Sequence, residues 1–92
     1  MFRRSVKGVR KVETRLGVVG IVIENMDAVP AVNSILSAHK DIIVGRMGIP
    51  YRERQVSVIS LIVDGTTDTI GSLTGQLGAL PGVSVKSALT KK

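Results

Sequence analysis

Residues 16–23 and 56–63 are β-branched runs that carry apolar side chains on both parities. Leu16, Val18 and Val22 alternate with Val19, Ile21 and Ile23 in the first run, and Val56, Val58 and Ile62 alternate with Ile59, Leu61 and Val63 in the second. A strand of this kind has no natural solvent face, so it belongs at the centre of a sheet covered on both sides. A chain of 92 residues makes one small domain with a modest core. It has helix enough to cover one sheet face, so the other face calls for a partner.

The segments around these runs repeat in order. After the first run, Asp27 offers an N-cap oxygen and Pro30 fits a first helical turn, where its missing N–H costs nothing. Ala28, Val32, Ile35 and His39, flanked by Val29 and Leu36, then form one helical stripe. His39, a lone imidazole at the helix end, reads as structural or solvated. A second strand spans residues 42–51, with Ile43, Met47, Ile49 and Tyr51 on one parity and Ile42, Val44 and Arg46 on the other. Gly45, Gly48 and Pro50 make it irregular and place it at a sheet edge. A hairpin tip carrying Pro50, Arg52, Glu53 and Arg54 leads into the second apolar run.

Thr66 or Thr67 can then cap a helix whose stripe is Ile70, Leu73, Leu77 and Leu80. Gly71, Gly75 and Gly78 lower its propensity by about 1 kcal/mol each, so the sheet or a partner helix is expected close against them. Pro81-Gly82 stops the helix, and residues 83–89 alternate as a last strand with Val83 and Val85 inward and Ser84 and Lys86 outward. The order βαββαβ specifies an α+β, ferredoxin-like sandwich: an antiparallel sheet of order 4-1-3-2 with both helices on one face. Residues 13–89 constitute this domain, between a basic N-terminal tail, 1–12, and a short C-terminal tail, 90–92. Val56, Val58 and Ile62 head the expected interface of a homo-oligomer, a dimer or tetramer, closing the uncovered face.

The formal charge of +6 sits mainly in the tail. Arg3, Arg4, Lys7, Arg10, Lys11 and Arg15 face only Glu13 there, whereas cations and acids nearly cancel in the rest of the chain. Nucleic-acid binding through the tail is the alternative reading, but Phe2 and Tyr51 are the chain's only aromatic residues and offer few stacking platforms. The tail reads instead as a solvated terminus. With no cysteine there is neither a disulfide framework nor a thiolate metal site, which suits a reducing cytoplasm. Apolar runs of eight residues are far too short for a bilayer, which takes about 20. One histidine, no cysteine and acids confined to element ends supply no catalytic constellation, so an enzyme is not expected. The glycines match no phosphate-cradling motif, and no cofactor or metal is called for. Where a small molecule or protein partner binds, the candidate site is Arg46, Tyr51, Arg52 and Glu53, which combines cations, a phenol and loop backbone.

Gly45-Arg46-Met47-Gly48-Ile49-Pro50-Tyr51-Arg52-Glu53 closely resembles a segment of a family of small bacterial proteins named as regulators of the iron-only hydrogenase system. Residues 13–25, Glu13-Thr14-Arg15-Leu16-Gly17-Val18-Val19-Gly20-Ile21-Val22-Ile23-Glu24-Asn25, resemble its opening, and Leu80-Pro81-Gly82-Val83-Ser84-Val85-Lys86 its close. The resemblance implies an ACT-like fold and a non-catalytic regulatory role, sensing a ligand or meeting a protein. The implied fold is also similar to the ligand domain of nickel-responsive repressors. Gly48 and Pro50 stand where that site wants alternating histidines, and its thiolate is missing, so its metal site is not carried over.

Overall fold

The computed structural model describes residues 13–91, and the readings made for the tail, 1–12, lie outside them. Strand β1, Arg15–Ile23, is followed by a single 3-10 turn and helix α1, Val29–Ala38. Edge strand β2, Ile43–Tyr51, turns through Arg52–Arg54 into β3, Val56–Gly65, and helix α2, Thr67–Gly78, leads to β4, Val83–Leu89. The four strands pair antiparallel in the order β2-β3-β1-β4, the ferredoxin-like arrangement expected from the two matching halves. Pro50 falls on the edge strand, where its missing N–H breaks no inner ladder.

One face of this sheet packs on the helices. Val19, Ile21 and Ile23 of β1 and Leu61 and Val63 of β3 are essentially sealed, as are Val32 and Leu36 of α1 and Ile70, Leu73 and Leu77 of α2. Ala28, Val83 of β4 and Ile59 complete the same core. The alternation that the strands show in sequence is therefore used on one parity by the helices. Among the described residues the core holds no buried polar side chain, so its stability rests on apolar burial.

Local details confirm some expectations and correct others. Thr66 caps α2, its Oγ1 accepting from the Thr69 N–H at 3.1 Å. His39 is structural: its Nδ1–H donates to the Ile35 carbonyl at 2.9 Å, which also accepts from the His39 N–H at 3.2 Å, so the ring closes the end of α1. Asp27 is not the cap. Asn25 takes that role for the 3-10 turn, its Oδ1 accepting from the Asp27 N–H at 3.0 Å, and α1 starts behind Ala28 without a side-chain cap. The preceding turn already supplies partners for the first amides, which makes a second carboxylate cap redundant. Gly71, Gly75 and Gly78 face outward, and a Cβ added at any of them would meet nothing within 4 Å. Ile70, Leu73 and Leu77 supply the buried contact of α2, so among the described residues the expected close approach to these glycines is absent.

A different glycine is conformationally required. Gly82 has φ 75°, and a Cβ there would lie 2.6 Å from the Asn25 Cβ. Its carbonyl accepts from the Glu24 N–H at 2.7 Å, tying the exit of β1 to the entry of β4. Gly82→Ala should therefore lower the unfolding free energy by about 1–3 kcal/mol, through left-handed strain and displacement of Asn25. Gly75→Ala should raise it by about 1 kcal/mol, because only helix propensity changes at an open site. Urea denaturation midpoints of the two variants check both signs.

Candidate functional site

The positions of the candidate residues follow from one irregularity in β2. Ile43 pairs with Val63, but Gly45 pairs with Ile62, so Val44 is an extra residue in the ladder. Residues opposite each other in an antiparallel pair share a face, and the bulge inverts the parity of everything after it. Ile43 consequently lies on the helix side with Val63, whereas Met47, Ile49 and Tyr51 lie on the open side with Ser60, Val58 and Val56. The shared face expected for Ile43 and those three residues is thus split. Arg46, opposite Leu61, is on the helix side.

The four candidate ligand residues accordingly do not form one cluster. Arg46 lines a cleft of about 480 Å³ between α1 and β2, with Asn33, Leu36 and Ser37 of α1 and Lys40 of the 3-10 turn after it on one wall and Ile43, Val44 and Gly45 on the strand wall. Tyr51 and Arg52 line a separate, shallower hollow of about 210 Å³ with Met26, Pro50, Gln55 and Val56. Glu53 is exposed in the hairpin turn and lines neither. Gln55 closes that turn in the left-handed region at φ 56°, donating its N–H to the Arg52 carbonyl at 3.1 Å. No composition signal marked Gln55 for that conformation, which glycine or asparagine usually takes.

The candidate interface residues do come together. Val58 and Ile62 stand on the open face 39% and 47% exposed, with Val56 partly covered at its end. The register surrounds them with Ile49 and Val22 in the row of Val58, and with Val18 and Ala88 in the row of Ile62. Between these rows run Met47, Ser60, Gly20 and Lys86, whose two small central residues leave a shallow saddle. An apolar hollow of about 460 Å³ lined by Leu16, Val18, Ile62, Ala88 and Leu89 lies at the corner diagonally opposite the Tyr51 hollow. Lys86 and Asp64 supply charge on this face away from its centre. Among the described residues no group of three or more His, Asp or Glu is placed to hold a metal ion, and no helix is long and apolar enough to cross a membrane.

Comparison with known proteins adds a family to this geometry. A family model, TM1266-like, described as "Iron-only hydrogenase system regulator, putative", matches residues 15–87. The uncharacterized protein TM1266 from Thermotoga maritima is 36% identical, with a TM-score of 0.82 over 86% of this chain and 100% of that one. The C-terminal domain of the MgtC protein from Mycobacterium tuberculosis shares the fold at 12% identity, with a TM-score of 0.66 over 90% of this chain and 95% of that one. A formyltetrahydrofolate deformylase from Pseudomonas putida KT2440 contains a similar unit at 11% identity and a TM-score of 0.57, covering 79% of this chain but 28% of that one. No curated protein matches the chain in sequence.

Proposed function

The chain belongs to the TM1266-like family of iron-only hydrogenase system regulators, and we propose that it acts as a non-catalytic regulatory module, a homo-oligomer built by pairing the open sheet faces of two copies. The observation that carries this reading is the concentration of exposed apolar side chains on one face. Leu16, Val18, Met47, Ile49, Tyr51, Val58 and Ile62 are all at least 39% exposed and all lie on the side away from the helices. Patches of this kind on small domains mark interaction surfaces.

The dimensions suit a second copy. Strands of nine and ten residues, four across, at about 3.3 Å per residue and about 4.8 Å between strands, make a face of roughly 19 by 30 Å. Two such faces remove on the order of 1,100 Å² from water, just above the roughly 1,000 Å² that a specific interface needs. An apolar centre with charge toward the margins matches the usual anatomy of such contacts. A sheet face is also self-complementary in the way a two-fold interface requires. In this arrangement the regulatory signal is a ligand or protein met outside the paired faces, and the pairing supplies the rigid frame.

Light scattering on the full chain at high micromolar concentration should give at least twice the monomer mass of 9.8 kDa. Ile62→Asp and Val58→Asp should each convert it to a folded monomer, because an unpaired carboxylate in the contact costs several kcal/mol. A monomeric wild type would overturn the assembly. Deleting residues 1–12 then asks whether the remaining occupant is the chain's own tail, which newly exposed apolar surface and lower solubility would reveal.

A further inference from the structure

We propose that the cleft between α1 and β2 is an anion site for a small organic carboxylate or phosphate ester with a short apolar body, held by Lys40 and Arg46. This names a ligand class for the regulatory reading and rests on it for its purpose, though not for its geometry. The cleft measures about 480 Å³, within the range of small-molecule sites. Its walls combine the cations Lys40 and Arg46 with the amide of Asn33, the hydroxyl of Ser37 and an apolar floor of Leu36 and Ile43. Among the described residues no carboxylate lines it.

Arg46 is the informative member. The bulge at Val44 turns it to the helix side of the sheet, opposite Leu61, where the inner strands carry buried apolar residues. Its guanidinium is exposed on the edge strand rather than buried among them, and among the described residues that side chain has neither a hydrogen bond nor an ion pair, so it can meet a ligand in the cleft. Lys40, in the 3-10 turn just past α1, would by itself be accounted for by the negative helix end nearby. Its placement across a cleft from a second unpaired cation is not. The α1 carbonyls oppose a bound anion by about 0.3–1 kcal/mol, but the His39 ring already occupies one of them. Two charge-assisted hydrogen bonds from Arg46 and Lys40 contribute more than that opposing field.

The site is open because the strand next to Arg46 has little to fill it. Gly48 and Pro50 are the following residues on the same face, and neither carries a long side chain. The ligand's head group would sit between the two cations and its body along Leu36 and Ile43. Arg52, in the hairpin turn, lines the other hollow and has no part in this one.

Titration of the full chain with hexyl phosphate, followed by amide chemical shifts, tests the site. Saturable shifts confined to residues 33–46, with a Kd near or below about 1 mM, are expected. Hexanoate and inorganic phosphate, run in parallel, tell which head group is preferred and whether the apolar body contributes. Arg46→Gln and Lys40→Gln should each weaken binding by about tenfold, whereas Arg52→Gln should change it less than about twofold. Absence of saturation, equal shifts with hexylammonium, or an equal loss in Arg52→Gln would overturn the proposal. Light scattering on the same samples separates this from the assembly: lost binding with an intact oligomer sinks the cleft alone, and a monomer that still binds sinks only the pairing.

Discussion

Everything in this fold depends on a mismatch between a sheet that is apolar on both faces and helices that cover only one. The two central strands, β1 and β3, place Val19, Ile21, Leu61 and Val63 under α1 and α2, while Val18, Val22, Val58 and Ile62 remain on the other side. The helices cannot serve both faces, because each crossover returns its strand to the same sheet in the same hand. The inner face is therefore closed by the chain itself, and the outer face keeps apolar side chains exposed. Burial at about 25 cal/mol per Å² makes both demands comparable in kind.

The edge strand divides the remaining labour. β2 pairs on one side only, carries a bulge at Val44 and contains glycines and a proline. These features remove it from the core and make it the place where polar side chains can approach the sheet from either face. Arg46 goes to the helix side and Tyr51 to the open side, although only a few residues separate them. The same strand thus contributes to two surfaces with different chemistry, a cationic cleft and an apolar face.

Much of the architecture was legible in the residues. Element order, sheet order, the edge position of β2 and the stripes of both helices follow from periodicity, proline placement and turn chemistry. The open-face position of Val56, Val58 and Ile62 was legible for the same reason, because a period of two is not easily misread in a regular strand. Where reading failed, a competing partner had intervened. Asn25 took the capping role expected of Asp27 because a 3-10 turn precedes α1. The helix glycines, expected against the sheet, turned outward because the leucine stripe already fills the contact.

Local preference and the count of apolar parities are enough to specify a two-layer βαββαβ domain with a spare apolar face. The side of the sheet that each β2 residue occupies is settled in the folded chain alone. One extra residue at Val44 inverts every position after it, and nothing in Val44-Gly45 announces whether the ladder will absorb that residue as a bulge or pair through it. That choice is made by the partner strand, where Val63 and Ile62 must face opposite sides while Ile43 stays in the core. Register is a property of two strands, so Arg46 could be chosen from sequence as a candidate, but its neighbours in the cleft could not.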